Sequence, residues 1–112
     1  MKVYHGKKWK KVLEVNMGFK VTVLKLAMQE IDSAFEYYEG KKVGLGEEFL
    51  IYLKGYINVI KTFPEFSRIQ QHGFRELHLK KFPFTIIYEV TLSGVIIHSI
   101  FNTNSNPSKK VY

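Results

Sequence analysis

The chain has no cysteine, three prolines and one tryptophan among 112 residues. Without thiols it can form no disulfide, ligate no metal through sulfur and attack no substrate by a thiolate. Long apolar runs are missing too: the longest stretches, such as Val95-Ile96-Ile97, are strand-sized, well short of the ~18 residues a membrane span needs. Acids are scarce, 10 against 17 Lys and Arg, which leaves a formal charge of +7 and draws anionic partners. What is abundant is core material, 46% hydrophobic and 15% aromatic, a composition that packs a globule. A chain of this length forms one domain. The basic N-terminus is not followed by an apolar segment of the kind a signal peptide needs, so a soluble, cytoplasmic protein is expected.

The pattern changes period twice. Phe19–Leu26 is rich in β-branched residues, with Val21 and Val23 alternating with Thr22 and Lys25, and reads as a first strand. Ala27, Met28, Ile31, Ala34, Phe35 and Tyr38 then recur at helical spacing, with Glu30, Asp32, Glu36 and Glu39 on the opposite face, up to about Gly40. Phe49, Leu50, Leu53, Tyr56, Ile57 and Ile60 mark a second amphipathic helix that Pro64 stops. The short link Lys41–Gly46 folds the two into an antiparallel hairpin. After a polar stretch, Arg75, Leu77 and Leu79 alternate with Glu76, His78 and Lys80. Pro83 breaks that run, and Thr85–Val90 and Gly94–Phe101 follow as β-branched runs joined by a short turn. The residues thus predict a single α+β domain in the order β-α-α-β-β-β: an N-terminal strand, a helical hairpin over one face of the sheet, then an antiparallel three-strand meander.

Candidate chemistry is sparse. Arg75, Lys80 and Lys81 cluster on or beside the second strand and Lys109 and Lys110 lie in the tail, so a tail folded back over the sheet would gather five cations around a concavity suited to phosphates. Lys80-Lys81 reads equally as a solvated turn. His5, His72, His78 and His98 show no short ligand spacing, so no metal and no cofactor are expected. His78 and His98 are placed as cross-strand packing residues. Tyr37 and Tyr52 sit beside the helical core stripes, where an amphipathic ring suits a protein interface, whereas Tyr38 and Tyr56 fall on the stripes.

Tyr37-Tyr38-Glu39, Gly44-Leu45-Gly46, Phe49, Arg75 and Phe82-Pro83-Phe84-Thr85-Ile86-Ile87-Tyr88, followed by Ile100 to Pro107, resemble the RelE/ParE family of toxins from bacterial toxin-antitoxin pairs over residues 19–107. The resemblance implies the fold just described. It also implies a growth inhibitor neutralised by a cognate antitoxin, acting either on DNA gyrase without catalysis or on ribosome-bound messenger RNA as a metal-independent endoribonuclease. Relatives of the nearest subgroup end in Phe-His-Thr-x-Arg-x-Pro; here Asn102 stands for the His and Ser105 for the Arg. Thr85 likewise stands where RNA-cleaving relatives tend to carry an arginine. Asn102 exchanges no proton near neutral pH and Ser105 neutralises no phosphate. The catalytic candidates left are Arg75, His78, Lys80, Lys81 and Tyr112, a poor set, so gyrase inhibition ranks ahead of RNA cleavage. A degenerate non-toxic homologue and a small nucleic-acid-binding domain are the remaining alternatives. Target or antitoxin contacts are assigned to Arg75, Lys80, Lys81, Asn102, Thr103, Lys109, Lys110, Tyr37 and Tyr52. Because the family's chains open just before the first strand, residues 1–18 read as an N-terminal extension or a misassigned start. Residues 1–20 hold six of the lysines against one acid, and a start at Met17 would reduce the charge to +3.

Overall fold

A computed structural model describes residues 20–112. The expected leader, residues 1–18, lies outside them. The described elements are β1 (Val21–Val23), α1 (Lys25–Lys41), α2 (Leu45–Thr62), β2 (Arg75–His78), β3 (Phe84–Thr91) and β4 (Gly94–Asn102), with single 3-10 turns at Gln71–Gly73 and Pro107–Lys109. The sheet order is β1-β4-β3-β2. β2, β3 and β4 form the expected antiparallel meander, and β1 joins it in parallel beside β4. No helix among the described residues is long and apolar enough to cross a membrane.

The helical stripes are buried as their spacing requires. Ala27, Ile31, Ala34 and Phe35 of α1 and Phe49, Leu50, Leu53, Ile57 and Ile60 of α2 pack onto Phe84, Ile86, Tyr88, Val95, Ile97 and Ile100 of the sheet. Met28, Tyr38 and Tyr56 are partly buried against the same core. The first strand departs from expectation: it ends at Val23 and α1 begins at Lys25. Leu24 and Leu26, which extend the apolar pattern in sequence, are both exposed.

The hairpin turn explains why Glu39, Gly44 and Gly46 belong together. The Glu39 carboxylate accepts from Gly44 N at 3.0 Å and from Gly46 N at 2.9 Å, which satisfies amide donors at the start of α2 that no helical carbonyl can reach. Gly44 takes the left-handed conformation at φ 91°, where a side chain is disfavoured. At Gly46 an added Cβ would lie 2.7 Å from the Phe35 ring, so only glycine lets the helices close at this point.

β4 carries an irregularity with consequences for the surface. Opposite Ile87 and Tyr88 it places Ser99 and Ile97, so His98 is an extra residue and the strand changes face there. β1 covers only Val95–Ile97, which leaves the later half of β4 without a strand on that side.

Candidate functional site

Beyond the end of β1, the Glu30 carboxylate of α1 takes the place of a neighbouring strand. Its Oε1 accepts from Ile100 N and from Ser99 Oγ, both at 2.8 Å. Both donors belong to buried residues. Burial pushes the Glu30 carboxyl above its ordinary value, and the two hydrogen bonds oppose that rise without cancelling it. Glu30 forms part of a groove of about 570 Å³ between α1, the uncovered part of β4 and the tail, where Tyr37, Tyr38, Phe84, Asn102, Ser105 and Lys109 also converge. Tyr37 is 60% exposed. Tyr38 packs edge-on against Phe82, and burial raises its hydroxyl, with Tyr37 adding to the effect.

The tail carboxamides shape the rim of this groove. Asn102 Oδ1 accepts from Asn104 N at 2.8 Å and Asn106 Oδ1 from Ser108 N at 3.0 Å, so each turns the chain in the manner of an Asx turn. Thr103 N donates to Pro83 O, joining the tail to the turn before β3. Thr103 itself is exposed.

The expected cations do not gather on one surface. Arg75 Nη1 donates to Ser67 O at 2.6 Å, holding the segment that follows α2. Lys81 pairs with Glu48 of α2. That contact, by hydrogen bond first and charge second, lowers the Glu48 carboxyl. The Lys80 side chain is exposed at the β2–β3 turn, while its backbone N and that of Lys81 donate to Tyr56 OH and Tyr52 OH. The two hydroxyls lie 3.1 Å apart, and their mutual hydrogen bond pushes Tyr52 down and Tyr56 up. The Tyr52 hydroxyl is thus occupied in holding a turn.

On the opposite face of the sheet the tail does fold back. Lys110 Nζ reaches Glu76 Oε2 at 3.1 Å and lies over the rings of Phe101 and Tyr112. Tyr112 packs on Phe74, which meets His98 edge-on. His78 Nδ1 shares a 2.6 Å hydrogen bond with Thr85 Oγ1, and its Nε2 stands 4.0 Å from Glu76 Oε1. β3 lies between His78 and His98, and His98 Nε2 instead donates to Glu89 Oε1 at 3.1 Å. Of the five expected cations, Lys110 occupies this face, Lys109 the groove, Lys80 the exposed β2–β3 turn, and Arg75 and Lys81 are bound to the helical layer and its connection. The helical spacing puts Glu30 and Glu39 on the face opposite the apolar stripe. Glu30 instead serves a buried amide 70 positions away, and Glu39 caps amides five and seven positions ahead of it.

No family model and no curated protein matches the sequence. Among solved structures, the chain is similar to one titled "Chromosomal ParDE TA system from P. aeruginosa", with a TM-score of 0.65 over 75% of this chain and 95% of that one, at 16% sequence identity. The strand, the helical hairpin and the three-strand sheet therefore constitute a RelE/ParE-like α+β fold. At that identity the likeness establishes the architecture.

Proposed function

We propose that this protein is the toxin of a toxin-antitoxin pair, held inactive by a cognate antitoxin and inhibiting growth when released. The observation that carries the reading is the fold shared with a chain of a ParDE toxin-antitoxin system. For the mechanism, inhibition by binding, with DNA gyrase as the target, ranks first. Two observations favour it. Asn102 and Asn106 use their carboxamide oxygens to form the tail, and Arg75 and Lys81 are engaged within the chain, so charge stabilisation of a cleaved phosphate has few groups to draw on. The groove lined by Tyr37, Tyr38 and the tail offers instead the amphipathic aromatic surface that a protein target fits.

A second reading, cleavage of ribosome-bound RNA, draws on the cluster of Glu76, His78 and Lys110 on the sheet's other face. His78 is exposed, and Lys110 would supply charge to a phosphate. Inducible expression in a bacterial host, with growth, DNA damage response and message integrity read together, separates the two. Arrest with DNA damage and intact message is expected. Arrest with cuts in translated message, lost in His78→Ala, would replace the first mechanism by the second, and folded protein without arrest would remove the toxin reading.

A further inference from the structure

Two rows of α1 at four-residue spacing form one wall of the groove: Gln29, Ser33 and Tyr37, and beside them Glu30, Ala34 and Tyr38. The middle member of each row is small. The wall is therefore indented between the Glu30 carboxylate and the two tyrosine rings, about 11 Å along the helix at ~1.5 Å per residue. Glu30 stands at one end of this indentation with half its capacity used. Its Oε1 accepts from both Ile100 N and Ser99 Oγ. Its Oε2 receives no hydrogen bond and no ion pair from the described residues, although an ionised carboxylate accepts at both oxygens. Burial raises the carboxyl, and no neighbouring charge offsets the rise. A carboxylate in that condition gains more from an incoming cation than a solvated one does, because part of its hydration is already lost and the medium around it screens less.

We propose that the groove is a receptor for one arginine side chain of a protein partner, with the guanidinium bound at Glu30 Oε2 and the stem covered by the apolar part of the wall. Which protein presents the arginine follows from the reading of this groove as the surface for the protein target; the site itself does not depend on it. Donor count and charge select the occupant. A guanidinium spreads five donors over a plane, whereas an ammonium presents three from one atom. Beyond the single free carboxylate oxygen, the lining supplies uncharged acceptors, the side chains of Ser33, Asn104 and Ser105, which suit the wider fork. Lys109 also lines the groove. It is exposed and forms no ion pair with Glu30 or any other described residue, so its charge faces whatever enters. One cation drawn to the half-buried Glu30 can pass it, but a polyamine carrying several charges meets repulsion there. The occupant is thus a lone arginine whose neighbours are uncharged or acidic.

The test is an NMR titration of the isotope-labelled full chain with the peptide acetyl-Gly-Arg-Gly-amide. The amide resonances of Ala34 and Ile100 should shift saturably. The same peptide with citrulline, which keeps the shape and lacks the charge, should bind at least ~10-fold more weakly. So should the arginine peptide to Glu30→Gln, which retains the acceptor for Ile100 and Ser99 and removes the charge. Lys109→Ala should strengthen the binding of spermidine more than that of the arginine peptide. Equal binding of the arginine and citrulline peptides, unaltered binding by the folded Glu30→Gln variant, or absence of saturable shifts in the groove would overturn the proposal, and the citrulline comparison on the wild-type chain decides should that variant not fold. Binding of spermidine or of the lysine peptide as tight as that of the arginine peptide would assign the site to another cation and overturn it too. Growth on induction is read separately. Arrest by a chain that does not bind the peptide removes the receptor and leaves the toxin reading, whereas peptide binding by a folded chain that causes no arrest removes the toxin reading and leaves the receptor.

Discussion

Replacing Glu30 by Leu and by Gln separates two things this carboxylate does: it accepts hydrogen bonds and it carries a charge into a half-buried groove. Leu removes the acceptor. Ile100 N–H is then left buried without a partner, at a cost of about 1–3 kcal/mol, while the Ser99 hydroxyl can rotate toward another acceptor and adds less. Leu recovers part of this by covering apolar surface, so the Leu variant should lie about 2 kcal/mol below the Gln variant, whose amide oxygen still accepts. In a domain of this size, ~4–8 °C per kcal/mol makes that difference roughly 8–16 °C in Tm. The pH dependence has a definite sign. The Glu30 carboxyl is raised by desolvation from its ordinary 4.5, so the native state holds that proton more tightly than the unfolded chain. Its contribution to stability is full below the ordinary value and is lost as pH rises through the raised one. Glu30→Gln lacks that loss and should gain on wild type between pH 4 and pH 7. Thermal unfolding followed by circular dichroism at the two pH values measures both effects. Equal Tm for the Leu and Gln variants would refute the role of Glu30 as substitute for a strand, and a Gln-to-wild-type gap independent of pH would refute the desolvated carboxyl.

Two further substitutions test the packing logic. Gly46→Ala places a methyl against the Phe35 ring and the Glu39 carboxylate, and should cost about 1–3 kcal/mol by overpacking, read from urea midpoints; a neutral result would mean the hairpin closes less tightly than described. The Glu48 carboxyl is lowered by Lys81, so the stability from this pair is present above the ordinary carboxylate value and lost as pH falls through the lowered one. Lys81→Ala should therefore reduce Tm at pH 7 and low salt and lose that effect at pH 2 or in ~1 M salt; a deficit that survives both would point to packing by the lysine stem.

The sequence was most informative where the physics is local. The stripes of α1 and α2 are legible because a 3.6-residue period has one physical cause, burial of a face, and every stripe residue is buried or half-buried. The end of β1 was not, because Leu24 and Leu26 prolong an apolar run whose exposure depends on where α1 docks. Roles that cross the fold were hidden too. Glu30 and Ile100 lie 70 residues apart, and the partnership exists only because β1 stops after three residues. Lys81 with Glu48 and Lys110 with Glu76 are separated by 33 and 34 positions, so a count of cations in sequence could not reveal which were already paired. The exposed Phe63 and Phe66 follow a proline-marked helix end that reads as a simple stop, and nothing local tells whether their rings turn inward.

The most direct test of the central claim is a supercoiling assay with purified DNA gyrase to which the purified chain is added, with and without the protein of the adjacent reading frame. The chain is expected to inhibit supercoiling in proportion to its concentration, and the neighbouring protein to restore it. Unimpeded supercoiling by gyrase at saturating amounts of folded chain, with translated messenger RNA cut in a parallel ribosome reaction, would contradict that claim.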